Sequence, residues 1–246
     1  MRPASVTVDL PEIERFAAQA EAWWDPEGSF RPLHRVNPVR LDFIRQHLTA
    51  HFGSSNSALR PFAGLRLLDI GCGGGLVAEP MSRLGFAVTA VDADARAVAV
   101  ARTHAEAGGL SIDYRSGTAE SVAASGQRFD VVLALEIIEH VADRDAFLQF
   151  VCALVRPGGA LVCATLNRTF RSFASAIIGA EYLLGWLPRG THDWRKFARI
   201  SELVLGLRRQ GLKATAVAGV SYDWMRGEWA LSRDLDVNYI VMAARR

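Results

Sequence analysis

The chain has 246 residues, half of them hydrophobic, and a formal net charge of +2. This is enough apolar material for one large α/β domain with appendages and leaves little room for a second full domain. The charge is too small to argue for a nucleic-acid partner without a basic patch, and no run of about 18 apolar residues is present to span a bilayer.

Three cysteines, Cys72, Cys152 and Cys163, sit far apart in apolar contexts with no Cys-x-x-Cys spacing, which fits a reducing cytosol. The N-terminus lacks a charged-then-apolar leader, so the expected location is cytoplasmic, either free or peripheral on the inner face of the cytoplasmic membrane. In chain order, the pattern predicts a helix over 11–24, a Pro- and aromatic-rich arm over 25–37, a helix over 38–52 and a short linker over 53–57. From residue 60 onward strands alternate with helices, as in a parallel sheet with crossovers. Strands are expected over 66–70, 87–92, 111–115, 129–135 and 160–165, with helices over 76–84, 95–107 and 143–155. A helix over 200–210 and strands over 212–220 and 237–244 follow. The domain reading is an N-terminal helical arm or lid over 1–60 and a catalytic domain over 61–246, with an insert at 168–198.

The run Leu67-Leu68-Asp69-Ile70-Gly71-Cys72-Gly73-Gly74-Gly75 reads as a buried strand that delivers its backbone to a ligand. Asp92 closes the next strand, where a carboxylate takes both hydroxyls of a ribose. A dinucleotide fingerprint requires a third glycine, and Leu76 stands there instead. Asp69, just before the loop, suits an ammonium better than a pyrophosphate. S-adenosylmethionine carries both an ammonium and a ribose, and the run resembles the first motif of class I methyltransferases. Asp69, Gly71 and Gly73 are therefore expected at the methionine part and Asp92 at the ribose.

More specific segments extend the resemblance: Trp23-Trp24-Asp25, the stretch from Phe30 to Arg40, Glu136-Ile137-Ile138-Glu139-His140, Thr165-Leu166-Asn167-Arg168, Gly190-Thr191-His192-Asp193 and Asp236-Val237-Asn238-Tyr239. Over nearly its whole length the chain resembles the bacterial and mitochondrial O-methyltransferases of ubiquinone biosynthesis. The resemblance implies a Rossmann-like, mostly parallel seven-stranded sheet with helices on both faces, an N-terminal lid and a helical insert after the fifth strand. It implies methyl transfer to a phenolic hydroxyl of a polyprenylated catechol or demethylubiquinol, with other enzymes of that pathway as candidate partners. It also implies cofactor contacts at Arg40, Gly71, Asp92 and Leu135, the last a position where some members carry methionine. An arginine at position 40 could offer a two-pronged donor to the methionine carboxylate.

The chemistry is expected at Glu136, Glu139 and His140, which follow an apolar strand and so emerge at the carboxyl end of the sheet. Spacings of three and four residues would put them on one face of a helical turn. Two carboxylates and an imidazole could hold a divalent ion, magnesium by preference, that lowers the pKa of a bound phenol. The alternative is metal-free catalysis with His140 as general base, Glu136 beside it, and the glutamates capping a helix start. His192 is a second candidate base.

Residues 173–187 carry one charge in fifteen and are flanked by Arg168, Arg171, Arg189, Arg195 and Lys196. That composition fits either an anionic membrane surface or a cap buried over the active site. Two readings from other classes compete: a nicotinamide oxidoreductase, which lacks its third glycine here, and a non-catalytic membrane-associated module, which would not need Asp92. Within methyltransferases, an enzyme for another soluble small acceptor is the alternative.

Overall fold

Five residues, Arg66–Ile70, form the central strand β1, and four of them are buried because the strand is flanked on both sides and covered on both faces. In the computed structural model, which describes residues 7–55, 57–173, 193–223, 225 and 227–246, β1 is the middle of an eight-stranded sheet. The parallel strands are β2 (Ala87–Asp92), β3 (Asp113–Ser116), β4 (Phe129–Leu135) and β5 (Val155–Leu166). The antiparallel ones are β6 (Leu212–Asp223), β7 (Glu228–Ser232) and β8 (Asn238–Arg245). The order is β3-β2-β1-β4-β5-β8-β6-β7, and it reverses direction between β1 and β4. In open α/β sheets that reversal leaves a crevice at the carboxyl ends of the strands.

Side chains alternate across this sheet with the period of two that a strand imposes. Leu67, Val131, Leu133 and Ile240 pack on one side with Phe43, Leu48 and Met81, whereas Leu68, Val132, Phe129 and Tyr239 pack on the other with Phe147 and Leu203. The helices on these faces are α3 (Ala78–Arg83), α4 (Ala95–Ala107), α5 (Ala119–Ala124), α6 (Arg144–Ala153) and α8 (Ile200–Arg209), with a single turn α7 (Phe170–Ser172) between. Their starts are local: the Asp94, Thr118 and Asp143 side chains accept the backbone N–H of Arg96, Ser121 and Ala146.

Three expectations are corrected. The sheet has eight strands and not seven, because β7 returns along β6 as a hairpin. The helix expected from residue 38 begins at Arg31, so α2 (Arg31–Phe52) takes in part of the arm. Pro32 is tolerated in its first turn, where the missing N–H has no intrahelical acceptor anyway, while Pro38 lies inside the helix. The first predicted helix is shorter: α1 (Leu10–Ala17) stops, and a 3₁₀ turn over Ala20–Ala22 follows. Among the described residues no helix is long and apolar enough to cross a membrane.

Candidate active site

The carboxyl ends of β1, β2 and β4 open into one cavity of about 680 Å³. Asp69, Gly71, Gly73, Asp92, Leu135, Glu136, Glu139, His140 and Arg40, the candidates taken from the sequence, all line it. At the end of β1 the chain turns through Gly71 and Gly73, both with positive φ (74° and 50°). A Cβ on Gly71 would come within 2.5 Å of Ile137, so the loop requires glycine there on two grounds.

Asp92, at the end of β2, holds this loop from below. Its Oδ2 accepts the Gly73 N–H at 2.8 Å and its Oδ1 accepts the Asp94 N–H at 2.9 Å. Burial pushes its carboxyl up from the ordinary range, against the two backbone donors, which favour the charged form. Asp69 is 3% exposed, and its Oδ2 has no hydrogen-bond partner among the described residues. Burial, with the charge of Asp92 added, pushes its carboxyl up to about 7. A buried carboxylate oxygen left unmatched is costly, and an ammonium placed beside it would remove that cost. These residues fit S-adenosylmethionine: an acid for its amine, a glycine cradle, and a second acid at the ribose position. Arg40 projects from α2 into the same cavity, with Nη2 2.7 Å from Glu136 Oε1 and Nη1 donating to Asn37 Oδ1 at 3.3 Å. Its Nε is buried without a hydrogen-bond partner among the described residues.

The opposite wall carries the titratable groups. The segment after β4 is not α-helical: Glu136 has a left-handed φ of 53°, and Ile138–His140 form a 3₁₀ turn. The expectation that Glu136, Glu139 and His140 share one helical face is therefore corrected, and the three side chains diverge. Glu136 reaches Arg40, Glu139 Oε2 accepts the Thr165 hydroxyl at 2.7 Å, and His140 Nδ1 lies 3.3 Å from Glu12 Oε2. Among the described residues no three His, Cys, Asp or Glu side chains are gathered to hold an ion. The donor types still suit a hard cation, and Glu139 Oε1 is a buried oxygen without a hydrogen-bond partner among the described residues.

Glu12 was not legible in the sequence as a site residue. It comes from α1, which lies across the cavity mouth, and Phe16 of that helix meets the His140 ring edge-on at 5.2 Å. Lys196 ties the helix down from beyond the insert, 2.7 Å from Asp9 and 3.5 Å from Glu12. Burial pushes the His140 imidazole down, but the hydrogen bond to Glu12 and the charges of Glu139 and Glu12 outweigh it, and the net direction is up. Among the other histidines, His34 bonds the Trp23 carbonyl, His51 the Gly158 carbonyl and His104 the Glu79 carboxylate. His192 and residues 174–187 of the apolar segment lie outside the described residues.

Comparison with known proteins agrees with this geometry. Residues 40–217 match the family described as Methyltransferase domain. A ubiquinone biosynthesis O-methyltransferase of Parvibaculum lavamentivorans is 54% identical over 99% of this chain and 96% of its own length. Another of that name, from Paramagnetospirillum magneticum, is 52% identical over 97% of this chain and 96% of its own. Among solved structures, magnesium protoporphyrin IX methyltransferase from Synechocystis with SAH bound shares the fold. It superposes with a TM-score of 0.61 at 19% identity, over 84% of this chain and 82% of that one. The cavity, its two acids and glycine loop, and identity above one half along nearly the whole length agree: the chain belongs to the ubiquinone biosynthesis O-methyltransferase family, S-adenosylmethionine-dependent enzymes on a class I methyltransferase fold.

Proposed function

We propose that the enzyme methylates a phenolic hydroxyl of a polyprenylated catechol or demethylubiquinol, and that His140 is the base that takes the phenolic proton. The observation that carries this reading is that the cofactor cradle and the His140–Glu12 pair open into one cavity. Its remaining wall is mostly apolar, with Ile13, Phe16, Leu33, Val36 and Trp229. Such a wall suits an aromatic head with a hydrocarbon tail.

S-adenosylmethionine, when bound, supplies an electrophilic methyl group on a sulfonium. Asp69 holds its amine, Arg40 its carboxylate and Asp92 its ribose, while Gly71 and Gly73 let the backbone approach closely and Leu135 packs against it. On the other side Glu12 meets Nδ1 of His140 and orients the imidazole, which would take the phenolic proton as the phenol oxygen gains the methyl group that the sulfonium sulfur gives up. A phenol titrates near ~10, so removal of that proton is the chemical obstacle near neutrality.

A second reading adds a divalent ion, magnesium by preference, on the ground of the buried Glu139 oxygen that has no hydrogen-bond partner among the described residues. Glu136, Glu139 and His140 would hold it only by turning together from Arg40, Thr165 and Glu12, and its charge would then lower the phenol pKa. Methyl transfer to a short-chain prenyl catechol, assayed with and without chelator, tests both readings. Turnover of the catechol supports the substrate class, and its absence with a soluble non-prenyl phenol turned over instead overturns it. Loss of turnover in chelator, restored by magnesium, supports the ion; full activity in chelator leaves His140 alone as the activating group.

The apolar segment with its basic flanks supports a place on an anionic lipid surface. In the flank before it, Phe170 is 80% exposed beside Arg171. Salt-sensitive co-sedimentation with anionic vesicles is the expected result, and indifference to them at low salt overturns it.

A further inference from the structure

The arm between α1 and α2 lies on the glycine loop itself. The Trp23 side chain covers Gly73 and Gly74 so closely that a Cβ on either would come within 2.4 Å of it. On its other side Trp23 stacks on Phe30, with ring centres 3.8 Å apart and planes 6° from parallel, and its carbonyl bonds His34. Trp24 is tied as firmly. Its indole N–H donates to the Gly74 carbonyl at 2.9 Å, and its ring stacks on His104 at 3.5 Å. His104 is in turn fixed by the buried Glu79, 2.6 Å away.

One donor in this assembly is left over. The Trp23 indole nitrogen is buried and has no hydrogen-bond partner among the described residues, and Trp23 lines the cavity that Asp69 and Asp92 line. Buried N–H groups are almost always satisfied, and an indole nitrogen can only donate. The missing partner is therefore an acceptor. S-adenosylmethionine offers carboxylate and ribose oxygens beside this loop.

We propose that Trp23 is a cofactor-binding residue: its indole N–H donates to an oxygen of bound S-adenosylmethionine, and Trp24 holds the arm so that it can. The arm is then a strap whose docking and cofactor binding reinforce each other, because each supplies part of the other's surface. The inference rests on the cofactor placement argued above.

The test uses the full-length protein and S-adenosylhomocysteine. Incorporating 3-benzothienylalanine at position 23 keeps a bicyclic ring on the glycine loop and replaces only the N–H donor, whereas Trp23→Phe would also remove the benzo atoms that cover Gly73. By calorimetry the affinity of the benzothienylalanine variant is expected to fall about five- to tenfold, in keeping with one lost hydrogen bond, with the melting temperature of the ligand-free protein unchanged. Saturating ligand should also protect the arm of the wild type from limited proteolysis, and protect Trp24→Phe less. Wild-type affinity in the benzothienylalanine variant overturns the proposal. Asp92→Asn is the control: if it too binds as the wild type does, the cofactor placement has failed and not the strap alone.

Discussion

The two walls of the cavity are built differently. The wall proposed for the cofactor comes from neighbouring strand ends: Asp69 lies near the end of β1 and the glycines follow it, Asp92 closes β2, and Leu135 closes β4, all in the parallel part of the sheet. The acceptor wall is gathered from distant parts of the chain. Glu12 meets His140 across 128 positions and Lys196 meets Asp9 across 187. Backbone hydrogen bonds fix the first wall, while side chains on a short helix and a 3₁₀ turn hold the second. A donor common to many methyltransferases can thus be kept on a rigid frame while the acceptor is chosen by parts free to vary.

Substitutions on the two walls should separate. On the acceptor wall, His140→Gln is expected to lower kcat by about 10²–10⁴, the usual contribution of a positioned base, and to leave cofactor affinity unchanged. Equal loss of both would break the division of labour. On the cofactor wall, Asp92→Ala should weaken S-adenosylmethionine binding by about 2–4 kcal/mol, through loss of charge-assisted bonds to the ribose. Calorimetry on the folded variant decides this, and unchanged affinity would sink the ribose assignment.

A pH titration sharpens the same wall. In the ligand-free protein the Asp69 carboxyl is pushed up to about 7, and an ammonium binds only its charged form. Affinity for S-adenosylhomocysteine should therefore fall by up to about tenfold per unit as pH drops below that value. It should level off above it, until the ligand's own amine titrates. Binding should release a proton near pH 7, visible as a buffer-dependent heat. The smallest effect is expected from Leu135→Met, a swap that nearly conserves volume at an apolar contact: about 1 kcal/mol or less in cofactor affinity.

The cofactor wall was legible because its signals are local. Four glycines after an apolar strand and an acid ending the next one announce a ligand loop before any tertiary contact is known. The acceptor wall was legible only in part. Glu136, Glu139 and His140 could be named from their place after β4, but not their divergence. That depends on the left-handed φ of Glu136 and on Arg40, Thr165 and Glu12, each fixed by tertiary packing. Strand β7 escaped notice for a similar reason. It is a largely exposed edge strand, Glu-Trp-Ala-Leu-Ser, whose apolar run of three residues is too short to betray it. The early start of α2 was hidden by Pro32 and Pro38, which read as an arm until the first-turn position of Pro32 is known.

Cys72, in the middle of the glycine loop, has a chemical consequence of its own. A sulfonium methyl donor alkylates thiolates readily, and this sulfur lines the cavity proposed to hold one. Burial, together with the charges of Asp92 and Asp69, drives the thiol far up from its ordinary range, so it stays protonated and unreactive. Burial, aided by the acids that would receive the cofactor's amine and ribose, thus also quiets a competing nucleophile in the loop, and the catalyst is spared self-alkylation there.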